Sequence, residues 1–201
     1  MIEFDDETGL WWPQWEDRKK IHFDYHTKHL VHADRFIERC KNRRTIFQAG
    51  GNVGIWPNHF AKFFDTVISA EADPDLFRCL DLNKARRVSA IDAAIGDCFD
   101  DVPFERTGKS GTGKVSESGT FHVKQITIDS LDLADLDAIY IDIEGYEENA
   151  IRGAVETIKK HRPMICLETF DRTRDALNAL MEGIGYGLLM RHGRDQTYAP
   201  K

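Results

Sequence analysis

Five carboxylates of this chain stand where apolar runs end. Glu71 follows Val67-Ile-Ser-Ala, Asp97 follows Ala94-Ile-Gly, Asp142 and Glu144 follow Ala138-Ile-Tyr-Ile, and Glu168 follows Met164-Ile-Cys-Leu. A fifth apolar run, Ile46-Phe47, enters Gln48-Ala-Gly-Gly-Asn-Val-Gly54. A glycine-rich turn between a strand and a helix lets a ligand approach the main chain and aims free N–H groups of the first helical turn at it. A carboxylate just past the second strand, Glu71, accepts two hydrogen bonds from a ribose diol. Asp97, after the third strand, accepts one from an adenine amino group. Asp142 and Glu144 lie two apart, so an extended backbone points them the same way. They are the candidates for contact with a substrate and for acid–base work, Asp142 before Glu144. The competing readings are structural: Glu71 as a surface acid, and Glu144 as the cap of the following helix with Gly145 permitting the turn. Carboxylates also gather magnesium, and Asp142, Glu144 and Glu168 would be the set; the reading adopted has no metal.

Glycine spacing narrows the ligand. Gly51 and Gly54 match the second and third glycines of a dinucleotide fingerprint, but the first falls on Ala49, which disfavours a nicotinamide dinucleotide. The stretch Gly108-Lys-Ser-Gly-Thr-Gly-Lys114 has the spacing of a phosphate-binding loop. Val115 stands where a hydroxyl residue would hold magnesium, and no apolar strand precedes it, so a surface loop is the better reading. Glu71, Asp97 and the glycine turn together outline an adenosine-containing ligand. Histidines 22, 26, 29 and 32 cluster, with helical one-face spacing between 22 and 26 and between 26 and 29. No glutamate joins them in a zinc-protease pattern, and solvated side chains are the plainer reading. His122 and His192 are unranked candidates for a base.

The elements that must position these groups alternate. The pattern predicts a helix over 28–41, strands over 45–49, 67–71 and 86–91, and helices over 54–64 and 74–83. Asp73-Pro74 is an N-cap followed by proline at the first helical position. A polar excursion over 100–120 follows, then a strand over 121–128, a buried strand over 137–142, a helix over 147–159, a buried strand over 164–168 and a helix over 172–182. Segments 185–190 and 196–199, around His192-Gly-Arg-Asp195, read as a terminal hairpin. Strands alternating with helices make a parallel sheet covered on both faces, and ligands of such sheets bind at the carboxyl ends of the strands. Residues 1–44 form an N-terminal arm and helical lid, and 45–201 the sheet domain. The arm carries Trp11, Trp12 and Trp15 without periodicity, a surface that could cover the domain, close over a ligand or join two copies as a homodimer.

Composition bounds the partners. Acidic residues outnumber basic ones 34 to 27, for a formal charge of -7, with no long basic run. Nucleic acid and anionic membranes are not expected partners. No apolar stretch of about 18 residues suggests a span. Four cysteines lie far apart with no Cys-x-x-Cys pair, and the start is acidic, without the features of a signal peptide. The expectation is a soluble, cytoplasmic protein.

The residues also carry a likeness. Gln48-Ala-Gly-Gly-Asn-Val-Gly54, Ala70-Glu71-Ala-Asp-Pro74, Ala94-Ile-Gly-Asp97, Thr127-Ile-Asp-Ser-Leu131, Ile141-Asp-Ile-Glu-Gly-Tyr-Glu147 and Arg162-Pro-Met-Ile-Cys-Leu-Glu168 together resemble the FkbM family of S-adenosylmethionine-dependent methyltransferases. The resemblance runs from about Thr45 to about Glu168; Asp142-Ile-Glu-Gly145 with Gly153-Ala154 is its more specific part. It implies a class I methyltransferase fold: an α/β, Rossmann-like, seven-stranded, mostly parallel sheet with helices on both faces and a C-terminal antiparallel hairpin. It implies S-adenosyl-L-methionine as methyl donor and a hydroxyl on a sugar or other small molecule as acceptor. Carried over, Gly50, Gly51, Asn52 and Gly54 hold the methionine end, Glu71 the ribose and Asp97 the adenine, with Asp142 and Glu144 beside the methyl group. Gln48 departs from the aspartate usual in the family: it accepts a hydrogen bond but carries no charge to balance the donor's ammonium. That departure keeps open a binding protein on the same fold with catalysis lost. A NAD-dependent oxidoreductase is the remoter alternative.

Overall fold

A computed structural model describes all 201 residues. The chain opens with a hairpin, β1 (Ile2–Asp5) and β2 (Leu10–Pro13), and a long helix, α1 (Lys19–Ile37). Then come β3 (Thr45–Ala49), α2 (Ile55–Phe60), β4 (Thr66–Glu71), α3 (Pro74–Asn83) and β5 (Val88–Asp92). A small insertion holds β6 (Ala94–Ile95), β7 (Asp100–Glu105), β8 (Lys114–Val115) and β9 (Phe121–Ile126). β10 (Ala138–Ile141), α4 (Glu147–Arg152), α5 (Val155–His161), β11 (Met164–Glu168), α6 (Arg174–Gly183), β12 (Tyr186–His192) and β13 (Asp195–Pro200) complete it.

Seven strands form the main sheet in the order β12-β13-β11-β10-β3-β4-β5. β11, β10, β3, β4 and β5 run parallel, and β12–β13 is an antiparallel hairpin at one edge. Alternation along each strand divides the core. Phe47, Ile139, Ile141, Ile165 and Leu167 face Ile151, Ile158, Leu177 and Met181 of α4, α5 and α6. Ile46, Ala138, Tyr140 and Cys166 face Ala33, Phe36 and Ile37 of α1 and Phe60 of α2. This is the expected sheet with helices on both faces. No helix is long and apolar enough to cross a membrane.

Several boundaries move, each for a physical reason. The first helix covers 19–37, not 28–41. Apolar periodicity marks only its core-facing turns; the earlier turns are polar and line a cavity. The arm before it is a short hairpin, held to α3 by paired bonds between the Trp11 backbone and the Asn83 side chain at 2.8 and 2.9 Å. Trp12 is fully buried there with Val53, Leu76 and Cys79, so the tryptophans cover this domain. The third strand ends at Asp92, and Ala94–Ile95 crosses into a second sheet, ordered β6-β9-β7-β8. The excursion over 100–120 is therefore partly strand: Val102 and Phe104 alternate inward from β7. The long helix after β10 breaks into α4 and α5 at Gly153. A Cβ there would overlap the carbonyl oxygen of Gly96. Asp129 then accepts from Thr157 N at 2.7 Å, capping α5, which accounts for the Thr127–Leu131 segment. Asp73 caps α3 as expected, accepting from Asp75 N at 2.9 Å and Leu76 N at 3.3 Å.

The Gly153 contact is backbone on backbone, so neither side yields by rotating a side chain. Gly153→Ala is expected to lower stability by about 2–4 kcal/mol, a drop of roughly 5–15 °C in Tm for a domain of this size. Gly183→Ala, where a Cβ meets nothing within 4 Å and the backbone is not left-handed, is the control and changes Tm far less. A melt of the two variants that shows equal losses would refute the packing explanation.

Candidate active site

The strand ends deliver their polar residues to one edge, as the alternation required. At the centre, the turn after β3 is drawn into the sheet. Gly50 N and Gly51 N both donate to Ala70 O at 3.0 Å. Gly50 has φ +87°, and a Cβ on it would overlap the carbonyl oxygen of Asp142. The position therefore takes only glycine, and its bare main chain is what a ligand would meet. Asn52 N donates to Glu71 Oε2 at 2.7 Å, and Asp73 N donates to Glu71 Oε1 at 2.8 Å. Glu71 thus clamps the turn while facing the cavity; burial pushes its carboxyl up to about 7 against these two stabilising bonds.

Gln48 is buried and fully engaged. Its Nε2 donates to Gly50 O at 2.8 Å and Ala49 O at 3.1 Å, and its Oε1 accepts from Ser69 Oγ at 2.5 Å. An ionised carboxylate has no proton for either carbonyl. The amide here props the glycine turn from beneath.

Beyond β10 the backbone takes two left-handed steps, at Glu144 (φ 59°) and Gly145 (φ 104°). A non-glycine residue there is uncommon and marks a functional constraint when its surroundings enforce it. They do: Glu147, buried, accepts Ile143 N and Gly145 N at 3.1 Å each. The capping role considered for Glu144 belongs to Glu147, a residue the sequence gave no reason to single out. Glu144 is free to face the cavity. One carboxylate oxygen each of Asp142, Glu144 and Glu168 lie within 4.8 Å of one another. Glu168 Oε2 is buried without a partner. Asp142 is exposed and lines both cavities. Desolvation by the surrounding protein first, then the charge of Glu168, raise its carboxyl well above the usual range. Burial and Glu168 bring Glu144 to about 7. The trio is close enough to share a proton or a cation.

Two cavities meet here. A narrow slot of about 80 Å³ runs from Gln48, Gly50, Asn52 and Glu71 past Ile95 to Asp142 and Glu144. A wide cleft of about 610 Å³ lies between α1 and the ends of β11 and β13. Trp56, Tyr140, Asp142 and Glu144 line both. Tyr140 is boxed by Phe36, Trp56 and Phe60, with ring centroids at 5.3–5.5 Å. Of the site residues named from sequence, Gln48, Gly50, Asn52, Glu71, Asp142 and Glu144 line the slot. Gly51 and Gly54 shape the turn behind it, and Asp97 stands exposed two residues past Ile95, outside both linings.

The wide cleft holds residues that sequence ranked low. Histidines 22, 26, 29 and 32 of α1 all line it, each with its own partner: Ser110 Oγ at 2.8 Å, Asn52 Nδ2 at 3.4 Å, Tyr25 O at 2.7 Å and Asp195 Oδ2 at 2.8 Å respectively. Burial lowers His26 to about 4, so it is neutral. His122 is exposed on β9, away from both cavities. The segment Gly108–Lys114 is a wall: Ser110 N donates to the buried Glu16 at 2.7 Å, and Arg106 binds Asp73 through two bonds at 2.5 and 2.6 Å. Spacing of four histidines at one helical face was the available signal; their polar partners came from distant segments.

Comparison with known proteins follows the same lines. The model of the methyltransferase FkbM domain matches residues 48–186. The crystal structure of methyltransferase FkbM from Methylobacillus flagellatus KT superposes with a TM-score of 0.59 at 21% identity, covering 78% of this chain and 43% of that one. This chain thus spans less than half the length of that protein. Ribosomal protein L11 methylase from Lactobacillus delbrueckii subsp. bulgaricus gives a TM-score of 0.56 at 12% identity, over 84% of this chain and 76% of that one. Magnesium protoporphyrin IX methyltransferase from Synechocystis PCC 6803, solved with bound SAM, gives 0.55 at 10% identity, over 90% and 83%. No curated protein matches the sequence.

The raised carboxyl of Glu144 has a stability consequence. Its folded value of about 7 lies above its ordinary 4.5, so ionisation opposes folding, and the contribution is lost as pH rises from about 4.5 to about 7. Glu144→Gln is therefore expected to raise Tm at pH 8 by roughly 2–4 °C and to leave it little changed at pH 4. Equal gains at both pH values in scanning fluorimetry would show that ionisation is not the cause.

Proposed function

Because the chain belongs to the FkbM family of S-adenosylmethionine-dependent methyltransferases, we propose that it moves a methyl group from S-adenosyl-L-methionine to a hydroxyl of a small molecule, such as a sugar. The observation that carries this is the meeting of the two cavities at Tyr140, Asp142 and Glu144. An in-line displacement needs donor and nucleophile on opposite sides of one carbon, held in near-attack geometry. A slot and a cleft that share one short boundary provide that arrangement.

The residues present suit the donor. The bare main chain at Gly50, with Gln48, Gly51, Asn52 and Gly54, holds the amino-acid end. Glu71 keeps lone pairs for the ribose diol beyond its two backbone bonds. The adenine end lies toward Ile95, which lines the slot, and Asp97, two residues beyond and outside that lining, would reach the amino group by turning inward. When bound, the donor supplies an activated methyl group. The slot is narrow, so its entry displaces the wall at Gly111–Val115. On the cleft side, Asp142 and then Glu144 orient the acceptor. The polar lining of the cleft suits a neutral, hydroxylated acceptor. Four free thiols, three of them buried, accord with a cytoplasmic setting.

Calorimetry and thermal shift test the donor assignment. S-adenosylhomocysteine and S-adenosylmethionine are expected to bind and raise Tm, and Glu71→Gln to weaken homocysteine-product binding about tenfold. A rise with NAD alone would overturn the reading. Against a panel of neutral methyl glycosides and phenols, Asp142→Ala is expected to lower kcat by about 100-fold; an unchanged rate removes its catalytic role.

A further inference from the structure

The acceptor hydroxyl must lose its proton, and the wide cleft contains a group built for that. Asp195, at the start of β13, is the register partner of Glu168 on β11, so it stands at the same sheet edge as the carboxylate trio. Its Oδ2 receives two bonds: His32 Nδ1 at 2.8 Å, from α1, and the Tyr140 hydroxyl at 3.2 Å. A carboxylate only accepts, so His32 carries its proton on Nδ1 and its lone pair on Nε2. That is the tautomer a general base requires, fixed by a third group.

The other three histidines of the cleft have no direct carboxylate hydrogen bond. His26 Nε2 meets Asn52 Nδ2, His29 rests on the neutral carbonyl of Tyr25, and His22 Nδ1 bonds Ser110 Oγ at 2.8 Å with the buried Glu16 carboxylate farther off at 3.4 Å. Around His32 stand His29 on its own helix and His192 on β12, with ring centroids at 5.5 and 4.3 Å, and Arg35 holds His192. Position decides between His32 and the acids. Asp142 and Glu144 line both cavities, whereas His32 and Asp195 line the cleft alone. In an in-line transfer the nucleophile's proton points away from the methyl donor, toward the cleft.

We propose that His32, oriented by Asp195, is the general base for the acceptor hydroxyl; this rests on the methyl-transfer reading above. The acceptor oxygen forms its bond to the methyl carbon as the carbon–sulfur bond breaks and its electron pair stays on sulfur. The hydroxyl proton passes to His32 Nε2, and Asp195 balances the imidazolium until the proton leaves to water.

Two measurements test it. Nitrogen-15 imidazole spectra of the full chain, with the His32 signal identified by its loss in His32→Gln, are expected to show the Nδ1–H tautomer, and Asp195→Asn to shift the proton to Nε2. An Nε2–H tautomer in the parent overturns the assignment. In the glycoside and phenol assay, His32→Gln is expected to lower kcat by about 10²–10⁴-fold, with S-adenosylhomocysteine affinity within about threefold of the parent. A kcat within threefold of the parent overturns the base while leaving methyl transfer intact. A parent that does not bind S-adenosylhomocysteine removes both.

Discussion

The site depends on one close approach, that of Gly50 to the carbonyl of Asp142. β3 and β10 are neighbours in the sheet, and the turn leaving one passes directly over the end of the other. No side chain fits between them. The two anchoring bonds from Gly50 N and Gly51 N to Ala70 O tie the same turn to β4 on its other side. Three strands thus converge on one residue without a Cβ. The bare loop, Glu71 and Asp142 are set relative to one another by backbone packing, which is stiffer than any arrangement of side chains.

Gln48 acquires its meaning in the same place. Read as a residue missing a charge, it weakens the case for binding. Read in its surroundings, it is a two-sided prop: an amide beneath the turn, donating to two carbonyls and accepting from Ser69. A buried amide with all these partners contributes rigidity without the desolvation cost of a buried ion. The turn is held without a charge, and any balance for a cationic ligand falls to the carboxylates across the slot.

The sheet, the helix over 74–83 with its Asp73 cap, and the glycine turn were legible because each is written in a contiguous pattern. Val67–Glu71 is an apolar run ending in an acid; Asp73-Pro74 is a helix start. What escaped was written across distant segments. α1 shows apolar spacing only over its core-facing turns, and its polar turns read as loop because nothing local says a cavity wall needs them. β7 alternates Val102 and Phe104 inward, but the Gly- and Ser-rich residues after it dominate the window. Glu147 rather than Glu144 satisfies the N–H groups of the turn, a choice fixed by left-handed steps that composition does not display. His32 is visible in sequence only as one of four histidines; its distinction is Asp195, 163 residues later.

The carboxylate trio shows how the fold sets charge against function. Two unit charges about 5 Å apart at an effective dielectric near 20 repel by roughly 3 kcal/mol, a cost large beside the net stability of a domain. The chain lowers that cost by keeping protons: the carboxyl of Asp142 stands well above its usual range and that of Glu144 near 7. Full ionisation would strain the site and, on the proposed reading, would also grip a cationic donor more tightly than the transition state, in which the positive charge is dispersing. Interactions stronger in the ground state slow the chemical step. On the proposed reading, a trio that holds part of its charge back as protons would bind a sulfonium without over-stabilising it, and its protonated acids would serve as hydrogen-bond donors toward the acceptor. What separates a base from these acids, on the same reading, is position: Asp142 and Glu144 border the slot as well as the cleft, whereas His32 and its partner Asp195 border the cleft alone, the side toward which the proton of an in-line nucleophile faces.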